Sequence, residues 1–149
     1  METKKSKSIS ENDAKLIDLL NEVLRLEYTL IIHYPRLSNA IKDKEISNKV
    51  MLLSTASVSH ANTISTAIVS LGGEPQWSFE AFPDDTILNL FQGQLEKEKA
   101  VLLLHRECIR LASNQTLREQ FSELAKDEEW HIQVAKDIID YVISSGITA

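Results

Sequence analysis

Apolar residues recur every seventh position along four stretches of the chain, and a polar residue interrupts the stripes of each stretch near their middle. In the first stretch Leu16, Val23, Leu30 and Leu37 form one stripe, and Leu20, Glu27, Tyr34 and Ile41 form another. The second stretch carries Ile46, Leu53, His60 and Ala67 beside Val50, Ser57, Ile64 and Leu71. The third carries Phe91, Glu98, His105 and Ala112. The fourth carries Leu117, Leu124, His131 and Ile138 beside Phe121, Glu128, Ala135 and Val142. Seven-residue spacing keeps a stripe on one face of a helix, so the pattern predicts an all-α, four-helix bundle with these residues facing inward.

Punctuation sets the boundaries. Glycine and proline are scarce, and Gly72-Gly73, Pro75 and Pro83 cluster in the one long break. The predicted helices run over about 11–42, 45–72, 85–112 and 116–145, after a disordered lead over 1–10. Ser10 with Asp13, and Thr116 with Glu119, resemble helix-opening capping pairs, and Asp84 or Asp85 should lie near the cap of the third helix. Pro35 falls inside the first helix and should kink it rather than end it, because the apolar period continues through Leu37 and Ile41. The segment 73–84 is long enough to traverse a helix of roughly 40 Å, so a crossover between two antiparallel hairpins is allowed, as is a simple up-down connection.

The polar interruptions share one level. Glu27 and His60 are 33 residues apart, as are Glu98 and His131, and the midpoint of each pair falls at a predicted hairpin turn. An offset of 71 residues relates the halves: Glu27 to Glu98, Tyr34 to His105, Ser57 to Glu128 and His60 to His131. Three carboxylates and two imidazoles thus converge in an apolar interior, with no lysine or arginine in these stripes to neutralise them. Burying unpaired carboxylates costs several kcal/mol or forces protonation, whereas a bound cation would satisfy the cluster. Glu128 and His131, spaced Glu-x-x-His, can grip one metal from one helix face. Glu96 lies near Glu98 in sequence but faces elsewhere by roughly 200°.

Bulk properties narrow the remaining classes. Cys108 is the only cysteine, which rules out an internal disulfide or a cysteine-based metal site and points to the cytoplasm. The net charge is −6 and no basic stripe appears, so nucleic acid is not an expected partner. No apolar run is long enough to span a bilayer, and the start lacks the apolar stretch of a secretory signal.

Taken together, LEYTLIIHY around Glu27 and Tyr34, SVSHA around His60, LGGEP after the second helix, LEKEKA around Glu98 and AKDEEWH around His131 resemble the ferritin-like superfamily. The layout is similar to bacterioferritin and to the helical domain of rubrerythrin, over residues 11–145. The resemblance implies that Glu27 and His60 are terminal ligands of one metal, that Glu98 and His131 are terminal ligands of another, and that Glu128 bridges them. Tyr34 would hydrogen-bond a ligand glutamate. His105, in the equivalent place on the third helix, would hydrogen-bond near the ligands or add a further one. His33 is off the main stripe and should be structural. Trp77, Phe79 and Phe82 should plug the bundle or an interface, and Trp130 should pack against a neighbouring helix or subunit.

The chain departs from the family at Ser57, where a second bridging glutamate would stand. Two ferrous ions bring four positive charges against three carboxylates. The outcomes are a two-metal site with an open edge, a single metal, or a relic site. Val58 stands where a haem-binding methionine would fall, so no haem is expected. The short fifth helix of cage ferritins and the cysteine-bound iron domain of rubrerythrin are not expected either. The resemblance implies one or two iron ions, with zinc or manganese as alternatives, a homodimer or larger homo-oligomer, and oxidation of ferrous iron by oxygen or peroxide. The alternative is a non-catalytic bundle with one metal or a decayed site, acting through self-association.

Overall fold

The computed structural model describes residues 8–146, so most of the lead expected over 1–10 lies outside the described residues. Four helices follow in order: α1 (Glu11–Ser38), α2 (Lys44–Ser70), α3 (Ile87–Leu111) and α4 (Gln115–Ser145). Each opens on a side chain that accepts a hydrogen bond from a first-turn N–H. The pairs are Ser10 with Asp13, Asp43 with Ile46, Thr86 with Asn89 and Asn114 with Leu117.

These caps correct the expected boundaries. Thr86 caps α3, with Asp85 beside it, and Asn114, not Thr116, caps α4. Helix α1 continues through Pro35 for one more turn and ends at Ser38 rather than near 42. Residues 39–43 are needed for the turn and for the Asp43 cap. Helix α2 ends in a Schellman motif: Gly73 N–H donates to Ile68 and Gly72 N–H to Val69, with Gly72 at φ 87°. Only glycine adopts that φ without strain.

Helix α1 packs against α2 and α3, and α4 against α3 and α2, leaving α1/α4 and α2/α3 on the diagonals. The Asn12 amide donates to Leu111 O at 2.8 Å, which puts the start of α1 at the end of α3. The joining segment runs the length of α1. It is held by Gln76 N–H to Asn21 (2.9 Å), Glu80 N–H to Thr29 (3.0 Å), His33 Nε2 at 2.8 Å from Glu80 O, and the Arg36 guanidinium 4.2 Å above Phe82. The topology is therefore two antiparallel hairpins joined by an end-to-end crossover, and His33 anchors that crossover.

Two apolar clusters fill the bundle. One joins Leu16–Leu26 to Ala61–Ile68, Val101, Cys108 and Leu117–Leu124. The other joins Leu30–Ile41 to Val50, Leu53, Phe91 and Val134–Val142. Nearly every heptad residue is buried; Ile46 and Leu71, at the bundle ends, are half-buried. Phe82 packs on the second cluster, as a plug would. Trp77 and Phe79 instead stay exposed on the outside, where Trp77 meets the Tyr28 ring at 4.2 Å.

Candidate metal centre

Between the two clusters lies a polar layer contributed by all four helices. Glu27 from α1, His60 from α2, Glu98 from α3, and Glu128 and His131 from α4 are each no more than 3% exposed. His60 Nδ1 lies 3.8 Å from Glu27 and 3.7 Å from Glu128. His131 Nδ1 lies 3.8 Å from Glu98 and 3.6 Å from Glu128. The two imidazoles stack with ring centres 5.0 Å apart. The 71-residue repeat is thus a near-symmetry of space, with Glu128 approached by both histidines. Glu96 points outward to Lys99, away from the layer.

The electrostatics are those of a site missing positive charge. All six carboxylate oxygens of Glu27, Glu98 and Glu128 are buried without a hydrogen-bond donor, as are Nδ1 of His60 and His131. Among the described residues no lysine or arginine pairs with these glutamates. Burial lifts the Glu98 carboxyl well above the usual carboxylate range, and the Glu128 and Glu27 charges push the same way. Burial raises Glu27 too, partly offset by His60. Glu128 moves oppositely: burial opposes its charge, but His131 and His60 outweigh that and hold it below the ordinary range. For His60, burial disfavours the cation, yet Glu128 and Glu27 raise it to about 10.

These residues fit a metal ion. Separations of 3.6–3.8 Å are too long for good hydrogen bonds. They are within reach of one ion, because ligands with bonds of about 2.1 Å stand at most roughly 4.2 Å apart. An unsatisfied buried polar atom costs about 1–3 kcal/mol, and eight of them line this layer, where bound cations would relieve them. Two overlapping groups can hold a metal: Glu27, His60, His105 and Glu128, and Glu98, Glu128 and His131.

No protein-family model matches the chain, and no curated protein does. Solved structures do. A ferritin-like, diiron-carboxylate protein from Bacillus anthracis str. Ames superposes with a TM-score of 0.79 at 19% identity, covering 87% of this chain and 99% of that one. The fold is ferritin-like. The bacterioferritin of Desulfovibrio desulfuricans gives a TM-score of 0.76 at 18% identity, covering 90% and 83%. A dodecameric, bacterioferritin-related thioferritin from Bacteroides fragilis gives 0.75 at 17%, covering 90% and 89%.

Within this ferritin-like bundle the remaining candidates take distinct places. Tyr34 is fully buried with an unpartnered hydroxyl, and burial with the nearby Glu98 charge pushes its phenol up. Ser57 is 1% exposed, and its hydroxyl has no partner. His105 is fully buried; burial drives it down to about 4, so its ring is neutral near pH 7. Trp130 is half-exposed and touches His131 edge-on at 5.8 Å. Cys108 is buried among aliphatics, and burial pushes its thiol up to about 12.

Sequence reasoning missed Asp127. Its Oδ2 lies 3.3 Å from His60 Nε2, orienting the ring so that Nδ1 faces the site. The signal was its place immediately before Glu128, about 100° round the helix and toward α2. The residue 71 positions earlier is Ala56, which has no carboxylate to offer His131.

Proposed function

We propose that this ferritin-like bundle is a non-haem iron protein that binds iron through Glu27, His60, Glu98, Glu128 and His131 and promotes oxidation of ferrous iron by oxygen or peroxide. The observation that carries this reading is the layer of three buried carboxylates facing two Nδ1 atoms, none with a protein donor. The diiron-carboxylate description of the Bacillus anthracis neighbour supports iron over other cations.

In this reading Glu128 lies between two positions and contributes to both, while the Glu27/His60 and Glu98/His131 pairs close them at either end. Asp127 holds the His60 ring, and the Tyr34 hydroxyl, which makes no hydrogen bond, is buried near the Glu98 charge. The two apolar clusters keep bulk water out. When bound, iron supplies the electron transfer to oxygen or peroxide; the protein supplies geometry and a dry interior. Ser57 leaves α2 without a carboxylate in the polar layer, so that edge of the site is the one at which a small oxidant would approach.

That same edge favours a second reading: Ala56 and Ser57 stand where the counterparts of Asp127 and Glu128 would be, as expected for a bundle with one metal or a decayed site that acts by self-association. Exposed Trp77, Phe79 and Trp130 are apolar surface suited to a homo-oligomer. Metal analysis of the purified protein, with anaerobic ferrous titration followed by oxygen or peroxide, separates the readings. About two irons per chain, oxidised faster than in protein-free buffer, supports the oxidoreductase. A single redox-silent zinc, or no metal, refutes it.

A further inference from the structure

Two of the differences between the halves of the site change the donors facing the metal, and the second has the opposite sign from the first. Ser57 in place of a counterpart to Glu128 removes a carboxylate from α2. His105 in place of a counterpart to Tyr34 adds an imidazole from α3. A phenol at neutral pH presents a donor, whereas a neutral imidazole presents a lone pair that can bind metal. The two residues also stand on opposite sides of the polar layer. Tyr34 belongs to the apolar cluster built around Leu30 and Leu37, while Val101 and Cys108, one turn either way from His105, belong to the other.

His105 is fully buried, and neither ring nitrogen has a hydrogen-bond partner. A structural core histidine normally satisfies at least one, as His33 does against Glu80 O. Its ring centre is 6.3 Å from that of His60, and it offers a nitrogen within 4.8 Å of ligand atoms of Glu27, His60 and Glu128. The group around Glu98 has three members, Glu98, Glu128 and His131.

We propose that His105 is a direct metal ligand, completing a four-residue position with Glu27, His60 and Glu128, and that this position fills before the three-residue position at Glu98, Glu128 and His131. The inference rests on the metal-binding reading above and goes beyond it in ligand identity and in order of loading. Two imidazoles and two carboxylates suit a first-row divalent cation, and the two carboxylates balance its charge. His105 thus replaces, from the opposite helix, a donor that Ser57 does not provide.

Zinc is a suitable probe because it is diamagnetic and needs no exclusion of oxygen. The full metal-free chain, labelled with 15N in histidine, would be titrated with zinc while long-range 1H–15N spectra report each of the four imidazoles. The expectation is two metal-bound rings at one equivalent, three at saturation, and His33 unchanged. A His105 ring that stays free at saturation while His60 or His131 is bound overturns the assignment of His105 while leaving a metal site. No bound ring at any ratio overturns the metal-binding reading as well. In parallel, His105→Gln should weaken the first zinc by at least tenfold and leave the helical circular dichroism intact. An unchanged first affinity would count against the proposal. If the variant does not fold, the ring count on the unaltered chain decides.

Discussion

Glu128 is approached by both site histidines, and its neighbour Asp127 holds one of them from behind. Their substitutions should therefore differ in kind. Glu128→Gln should abolish tight metal binding at both positions. Asp127→Asn should weaken it about 10- to 100-fold through loss of His60 orientation. Calorimetric titration with zinc would distinguish them, and equal losses would show that Glu128 is not shared. Glu98 tests the other side of the balance. Its carboxyl is buried without a donor, so Glu98→Gln should raise the melting temperature of the metal-free protein while lowering that of the metal-loaded one. Loss of stability in both states would mean that this glutamate serves packing alone. Ser57→Glu should raise metal occupancy if the missing carboxylate limits it.

At the scale of elements, the hairpins and the crossover are separate problems. The hairpin partners were legible because Glu27/His60 and Glu98/His131 share one spacing about a turn. The crossover path was not, since nothing local says that Asn21 and Thr29 on the outer face of α1 will accept hydrogen bonds from a segment 51–55 residues away, or that His33 will donate one to Glu80 O, 47 residues away. Gly73 is where that segment leaves α2: a Cβ there would sit 2.8 Å from the Ile17 side chain. Gly73→Ala should cost about 1–3 kcal/mol by overpacking, seen as a lower midpoint in urea with unchanged slope. A neutral result would mean that the crossover yields without disturbing α1. Helix ends were misplaced for a similar reason. Thr86 and Asn114 won over equally plausible neighbouring caps because the packed bundle set where each chain segment could enter.

For the molecule as a whole, the charged layer makes stability depend on pH and metal together. The His60 value is raised from 6.5 to about 10, so its contribution is fully present below pH 6.5 and is lost as pH rises through 10. Glu27 and Glu98, also raised, contribute with the same sign: below the ordinary carboxyl range they stabilise the fold, and above it they do so less. His105, depressed to about 4, adds stability above pH 6.5 that is lost as pH falls. The metal-free protein should accordingly melt lower at pH 9 than at pH 7. Metal binding requires loss of the His60 proton, so zinc affinity should rise over that same interval. Zinc at about a hundredfold over its dissociation constant should add about 2.7 kcal/mol, roughly 6–10 °C in melting temperature, reversed by a chelator. Calorimetric scans at the two pH values check both signs, and a metal-free melting temperature that rises toward pH 9 would contradict the buried-charge account.

The sequence by itself determined the four amphipathic helices, their pairing into hairpins and the level of Glu27, His60, Glu98, Glu128 and His131, because these follow from period and spacing along single helices. Only the tertiary structure decided which face of the layer His105 joins, that Asp127 reaches His60, and that the crossover lies along α1. Those outcomes depend on which helices become neighbours, a matter of long-range packing that no local periodicity encodes.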